Sequence, residues 1–145
     1  MKVMVMVKAT KNSEAGAPPT PELIDAMTRF NDELVAAGVL LAGDGLSPSR
    51  LGKRVRFSSD GTRRQIIDGP FTETRELVAG YWLWEVKSMD EALEWARRCP
   101  PPMPGEESDL ELRPLVGLDD FGDVVTPEIR EREERQKAAI AAKAT

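Results

Sequence analysis

Two segments of the chain are apolar on both of their alternating sides, and this feature constrains the fold more than any other. In Lys2–Lys8, valines at positions 3, 5 and 7 alternate with methionines at positions 4 and 6. In Leu77–Val86, two tryptophans lie on one side, and Tyr81 and Leu83 lie on the other. A strand with two apolar sides is stable only when both faces of its sheet are covered. The sequence therefore predicts a central sheet with a layer packed on each face.

Helix signals lie between these strands. Thr20-Pro21-Glu22 supplies an N-cap, a proline at the first helical position and an acid in the first turn, and Gly38 ends that helix. Ser88–Glu91 matches a capping box, which predicts the start of a second helix. Residues 9–19 are rich in glycine, proline and small polar residues, and they are predicted to form a loop.

Shorter strand patterns complete the order of elements. A strand is expected over residues 39–42, with Gly43–Gly45 breaking it, and a last strand over residues 110–115. Between them, residues 54–67 alternate as a basic hairpin whose turn is Asp60-Gly61. The resulting order is β-α-β, a hairpin, then β-α-β. This order predicts an α+β fold of the ferredoxin-like kind with an inserted hairpin.

Two helices can cover only one face of such a sheet. The other face would expose an apolar patch of several hundred Å², which soluble monomers rarely tolerate. The sequence therefore predicts a homodimer whose two sheets pack face to face.

The chain changes character after Gly117. Few apolar residues follow, and Thr126-Pro127-Glu128 starts a charged helix expected over residues 127–143. Opposite charges recur there with four-residue spacing, at Glu128/Arg132, Glu131/Arg135 and Glu133/Lys137. We expect one domain over residues 1–118 and a C-terminal extension over residues 119–145.

Composition excludes several classes of function. The chain of 145 residues has a net charge of −5, which disfavours direct binding to nucleic acid. It contains no histidine and a single cysteine, Cys99, so imidazole-based triads and internal disulfides are excluded. No carboxylate spacing matches a metal loop, and the longest apolar run is too short to cross a membrane. We expect a cytoplasmic protein with no metal and no cofactor.

A nine-residue block, Asp68-Gly69-Pro70-Phe71-Thr72-Glu73-Thr74-Arg75-Glu76, is followed by Gly80-Tyr81-Trp82. This block resembles the signature of the DGPF branch of the YCII-related family. Matching segments flank it in order, at Ala37–Leu40, Gly43–Leu46, Asp90–Ala96 and Glu111–Pro114.

The resemblance implies a dimeric α+β barrel, in agreement with the two-sided strands. It also implies a family for which chemistry by a His–Asp pair has been proposed, and this sequence lacks the histidine. Many members of the branch are encoded beside, or fused to, alternative sigma factors. A sigma factor is therefore a candidate partner.

Asp68 is the best single candidate for a catalytic residue. A carboxylate at a strand end, beside a turn fixed by Gly69-Pro70, can be partly buried, where loss of solvent suits it to proton transfer. The structural alternative is an aspartate that accepts hydrogen bonds within its own turn. Both interpretations predict that Asp68 is at least half buried and rich in polar contacts.

Six further residues are candidates for ligand binding. Arg75 could hold an anionic ligand or pair with Asp68, whereas a surface ion-pair cluster with Glu73 is the structural alternative. Glu111 and Arg113 share one side of the last strand and are either a pocket wall or a solvated face. Tyr81 and Trp82 either line an aromatic pocket or belong to the core or a dimer interface.

Two functions of different classes fit these residues. The first is a dimeric small-molecule-binding protein with acid–base chemistry at Asp68. The second is a non-catalytic module that binds an alternative sigma factor through the basic hairpin and the charged C-terminal helix.

Overall fold

The central sheet of the protein has four antiparallel strands, in the spatial order Leu40–Gly45, Val78–Glu85, Lys2–Lys8 and Leu110–Pro114. The computed structural model describes residues 1–144. The chain separates into two units, Met1–Pro114 and the remainder from Leu115, and the sheet belongs to the first. Its strands are β1 (Lys2–Lys8), β2 (Leu40–Gly45), β5 (Val78–Glu85) and β6 (Leu110–Pro114). The helices of this unit are α1 (Lys11–Glu14), α2 (Pro21–Ala36) and α3 (Met89–Arg97).

Both long helices begin at the caps that the sequence predicts. Thr20 accepts a hydrogen bond from the main-chain nitrogen of Leu23 at 3.2 Å, and Ser88 accepts one from Glu91 at the same distance. The carboxylate of Glu91 accepts from the main-chain nitrogen of Lys87 at 2.6 Å. The α+β, ferredoxin-like fold is confirmed by these helices and the antiparallel sheet.

The core lies between the helices and one face of the sheet. Val3 and Val5 of β1 are fully buried there against Phe30 and Leu34 of α2. Phe30 also meets the ring of Trp82 edge-on, with the ring centroids 5.9 Å apart. Such aromatic pairs add about 0.5–1.5 kcal/mol to the free energy of unfolding beyond their buried area.

The opposite face of the sheet lies away from α2 and α3, whose buried residues all belong to the core on the first face. Met4 pairs with Leu83 in the register of β1 and β5, and Met6 pairs with Tyr81. All four residues are partly exposed, whereas the valines that alternate with the methionines in β1 are largely buried. We call this surface the open face. The predicted layer on one face of the sheet is present, and a second layer on the open face stays a prediction.

Strand β2 is longer than the sequence suggests. The prediction that Gly43–Gly45 breaks this strand is wrong, because all three residues pair with β5. A β-carbon added to Gly43 would lie 2.8 Å from Cδ1 of Trp82, so glycine is needed where the tryptophan packs on β2. Residues 9–19 also differ from the predicted loop, because α1 forms there with Thr10 and Ser13 as a capping box.

The inserted hairpin forms a separate two-stranded sheet of β3 (Lys53–Phe57) and β4 (Arg64–Asp68). Its turn lies at the predicted place, where Gly61 has a φ of 75°. Asp60 accepts hydrogen bonds from the main-chain nitrogen of Thr62 and from the hydroxyls of Ser58 and Thr62. The main-chain bond from Thr62, the largest cause, and these hydroxyl bonds lower the pKa of Asp60 to about 2.

The second unit contains a short 3₁₀ segment, Leu118–Val124, and helix α4, Pro127–Lys143. The predicted helix over residues 127–143 is thus confirmed. Arg130 lies 2.7 Å from Asp119, and Lys137 lies 3.4 Å from Glu133, one of the three predicted pairs. No residue of α4 is buried within this unit. Across residues 1–144, no helix has both the length and the apolar character needed to cross a membrane.

Candidate functional site

A cleft opens beside the first turns of α2. It consists of two adjoining hollows with volumes of about 560 Å³ and about 460 Å³. The ends of β2 and β5 lie on one side of it, and a proline-rich segment lies on the other. We call the two hollows together the α2 cleft. The residues that line both of them are Pro19, Leu23, Gly45, Ala79, Pro102 and Met103.

Proline shapes the mouth of this cleft. Pro18 and Pro19 precede α2, while Pro102 and Pro104 lie in the segment that follows α3. Proline fixes its own φ angle and has no N–H group, so these segments add rigid apolar surface with few hydrogen-bond donors. The α2 cleft is therefore a preformed and largely apolar cavity, of the size that usually binds small molecules.

Two half-buried carboxylates supply the acidic groups of the larger hollow. Oε1 of Glu106 accepts a hydrogen bond from the hydroxyl of Thr10 at 2.9 Å, and Thr10 itself is buried. Glu14 accepts from the main-chain nitrogen of Ser49 at 3.0 Å and from the Ser49 hydroxyl. Both carboxylates are thus held in place by partners far away in the sequence.

The Asp68–Phe71 segment is tied to the loop that carries Ser49. The nitrogen of Gly69 donates to the carbonyl oxygen of Gly52 at 3.0 Å, and the nitrogen of Phe71 donates to Oγ of Ser49 at 3.0 Å. A β-carbon added to Gly69 would overlap the carbonyl oxygen of Ser49 and lie 2.6 Å from its carbonyl carbon. The guanidinium of Arg54 lies 3.7 Å above the centre of the Phe71 ring. These contacts fix Ser49, which in turn holds Glu14 in the wall of the cleft.

Asp68 lies outside the α2 cleft. Its side chain is 72% exposed and its one contact within residues 1–144 is an ion pair with Lys53 at 2.5 Å. The prediction that Asp68 is at least half buried is wrong, because it ends a strand of the separate hairpin and no second layer covers it. The alternative in which Arg75 pairs with Asp68 is not the one that forms, since Lys53 lies directly opposite Asp68 in the register and pairs with it. A catalytic role for Asp68 stays a prediction.

Glu73 and Arg75 are exposed residues of the loop after the hairpin. Glu73 lies 3.8 Å from Arg54 and accepts a hydrogen bond from the hydroxyl of Thr72 at 2.9 Å. This hydroxyl is the main cause that lowers the pKa of Glu73. Within the described part of the chain, Arg75 has no ion pair. Neither residue lines the α2 cleft.

The remaining candidates divide between the two faces of the sheet. Glu111 and Arg113 lie opposite Met6 and Met4 in the register and so share the open face, with Lys8 3.8 Å from Glu111.

Tyr81 and Trp82 both line the smaller hollow. Trp82 is also buried in the core, where its Nε1 donates to Oδ1 of Asn31 at 2.9 Å. The alternative that Trp82 belongs to the core therefore holds together with its place in the cleft.

Sequence reasoning missed the residues that define the α2 cleft. Glu14, Glu106 and Ser49 lie in segments predicted to be loops or given no role. Thr10 and Glu106 are 96 residues apart, and no local pattern predicts that they meet. The sequence does carry a run of three prolines after α3, Pro100-Pro101-Pro102, but such a run indicates only where a helix ends.

Comparison with known proteins identifies one family model and one relative. The YCII-related domain matches residues 1–115 of the chain. An uncharacterised protein of Rhizobium meliloti (strain 1021) is 38% identical over 82 residues. That alignment covers 57% of this chain and 64% of the relative, so the match spans less than two thirds of the relative's length.

Proposed function

The chain belongs to the family of YCII-related domain proteins, and from this premise we propose that it binds a small molecule in the α2 cleft. The observation that carries the proposal is the cleft itself, whose larger hollow measures about 560 Å³. Ligand pockets usually measure about 300–1,000 Å³ and combine an apolar lining with a few fixed polar groups. Leu23 and Met103 supply the apolar part here, and Glu14 and Glu106 supply the fixed polar groups.

The proposal locates binding in the α2 cleft, whereas acid–base chemistry at Asp68 stays a separate prediction. Asp68 does not line either hollow. It is connected to the cleft through its own segment, since Phe71 bonds to Ser49 and Ser49 bonds to Glu14. In this proposal the Asp68–Phe71 segment positions the wall of the binding site.

A substitution that fills the α2 cleft tests whether small molecules bind there. Leu23 lines both hollows, so Leu23→Trp should fill space that a ligand needs. Small aromatic fragments should shift the amide signals of the cleft in the unaltered protein and should fail to shift them in this variant. Val35→Trp is the matched control, because Val35 lies on the same helix and is 62% exposed. Fragment shifts that survive in Leu23→Trp would contradict the proposal.

We further propose that two copies of the chain pair through the open face. Met4, Met6 and Leu83 form its apolar centre, and Glu111 and Arg113 lie on the same face along β6. An apolar centre with a charged rim is typical of an interface between proteins. Light scattering should give about twice the chain mass of 16.0 kDa.

A charged residue in the centre of the open face should separate the two copies. Met6→Glu would bury an unpaired carboxylate in the interface, so the scattering mass should fall to that of one chain. Val35→Glu, which adds the same charge on an exposed helical position, should leave the mass unchanged. A Met6→Glu protein that keeps the double mass would contradict this pairing.

A second candidate function is favoured by the β3–β4 hairpin. Val55, Phe57 and Ile66 are 52%, 59% and 70% exposed, and residues 53–68 contain five basic and two acidic residues. An apolar and basic surface of this kind suits an acidic protein partner, and the resemblance to the sigma-associated branch supports an alternative sigma factor. Phe57→Ser should abolish binding to a purified sigma factor of the source organism. Leu93→Ser, at a residue 42% exposed on α3, should not.

A further inference from the structure

The α2 cleft is lined by negative formal charges alone. Glu14 and Glu106 line the larger hollow, and neither hollow is lined by a lysine or an arginine of the described residues. Asp44 also lines the smaller hollow, but it lies opposite Tyr81 in the register of β2 and β5, towards the open face. The charges that a ligand meets in the larger hollow are therefore those of the two glutamates.

The two glutamates differ in what they can offer to a ligand. Both carboxylate oxygens of Glu14 are engaged, one by the nitrogen and the other by the hydroxyl of Ser49. In Glu106 only Oε1 is engaged, by Thr10. Oε2 of Glu106 has no hydrogen-bond donor within residues 1–144. Because Glu106 is only half-buried and its Oε2 receives no bond from the described residues, this oxygen can accept a hydrogen bond from a ligand.

Two positive features near the cleft oppose this charge, and both are weaker. The N-terminus of α2 contributes roughly half a positive charge, which Glu22 in its first turn offsets. Arg50 reaches the edge of the cleft, where one of its terminal nitrogens would lie 3.8 Å from a β-carbon built on Gly16. The side chain of Arg50 is exposed, so solvent and salt screen its charge. The charged side chains that line the hollow itself are thus both negative.

Resting on the proposed function of the α2 cleft, we propose that its ligands are organic cations: an apolar body with a protonated amine that donates to Oε2 of Glu106. The apolar body would lie against Leu23, Met103 and the flanking prolines. An amine–carboxylate hydrogen bond is charge-assisted and stronger than a neutral one. An organic anion of the same shape would place its charge beside two carboxylates and would be rejected.

Three probes of nearly the same shape test which ligand charge the α2 cleft prefers. Phenethylamine, phenethyl alcohol and hydrocinnamate share one aromatic body and carry a positive, a neutral and a negative group. Each is titrated against the isotope-labelled full chain at low salt, and the amide signals of the cleft report the dissociation constant. We expect phenethylamine to bind about tenfold more tightly than the alcohol, the factor that one charge-assisted bond supplies. Hydrocinnamate should bind more weakly than either.

Matched variants locate the selectivity. Glu106→Gln keeps the shape of the side chain and removes its charge, so the amine should lose its tenfold advantage while the alcohol binds as before. Glu107→Gln is the control, because Glu107 is adjacent, exposed and absent from the lining. Equal weakening of the amine in both variants would show only a general effect of net charge and would overturn the assignment to Glu106.

The outcomes separate this inference from the function on which it rests. If the amine and the alcohol shift the cleft signals with equal affinity, the cleft binds small molecules but the cation selectivity is refuted. If hydrocinnamate binds most tightly, the cation selectivity is refuted as well, and Arg50 with the N-terminus of α2 makes the cleft prefer anionic ligands. If none of the probes shifts the cleft signals, small-molecule binding in the α2 cleft itself fails.

Discussion

Gly69→Ala, directly after β4, should destabilise the protein more than glycine-to-alanine changes within the strands. The new β-carbon would overlap the carbonyl oxygen of Ser49 and lie 3.3 Å from Cα of Arg50. These are main-chain atoms, which cannot rotate away as a side chain could. The loop that carries Ser49 must therefore move away from the Asp68–Phe71 segment.

The structure sets the magnitude of this effect. Moving the loop breaks at least three hydrogen bonds, each of 3.0 Å: from Gly69 to Gly52, from Phe71 to Ser49, and from the nitrogen of Ser49 to Glu14. At about 1 kcal/mol net for each bond, the loss is about 3 kcal/mol. Alanine also lowers the conformational entropy of the unfolded chain, which adds roughly 0.4–1 kcal/mol to the free energy of unfolding. The free energy of unfolding should thus fall by about 2 kcal/mol.

Urea unfolding followed by tryptophan fluorescence measures this change, because Trp82 and Trp84 lie in the core. With an m-value of about 1.5 kcal/mol/M, the midpoint should fall by more than about 1 M urea. Gly45→Ala is the control, since a β-carbon there meets no atom within 4 Å, and it should raise the midpoint slightly. Equal midpoints for the two variants would refute the reasoning.

Three further predictions concern titratable residues. Asp68→Asn should lower the free energy of unfolding by under about 1 kcal/mol in urea, because its ion pair with Lys53 is exposed; a loss of several kcal/mol would contradict this. The carboxylate signal of Asp60 should titrate near pH 2, and its stabilising effect should be complete above pH 3.8 and lost as the pH falls through about 2, because the folded state lowers this pKa. Burial raises the pKa of Cys99 to about 11, so a thiol reagent at pH 8 should react much faster after unfolding than before it. A native Cys99 that reacts as fast as the unfolded one would contradict this.

The fold was predictable because its signals are local. The two-residue alternation in Lys2–Lys8 indicates which side of the strand is covered. Thr20 and Ser88 indicate where helices start, because each caps its helix by accepting a hydrogen bond from the main-chain nitrogen three residues later. Local rules also explain the error at Gly43. Glycine usually interrupts a strand pattern, but here it makes room for Trp82, which comes from a neighbouring strand 39 positions later.

The candidate site was predictable only in part, because its geometry is not local. Trp82 belongs to an apolar strand and was found for that reason, although its position also suits the core. Glu106 is placed by Thr10 at the other end of the domain, and Ser49 is placed by Phe71, 22 residues away. Neither contact produces a residue spacing that could be recognised in a single sequence. Asp68 was misplaced for the opposite reason, since a polar residue at a turn looks the same whether or not a second layer covers it.

The contacts of the Asp68–Phe71 segment explain its glycine and its phenylalanine without a catalytic group. Glycine is required at position 69 because the loop of Ser49 lies where a side chain would be. Phe71 offers its nitrogen to Ser49 and its ring to Arg54, which fixes the segment from two directions. The same Ser49 holds Glu14, so the segment and the α2 cleft are joined through one hydroxyl. A variant of this segment would therefore lose ligand binding simply because the wall of the α2 cleft is displaced. A chemical role for Asp68 would require a variant that loses turnover while it still binds the ligand in the cleft.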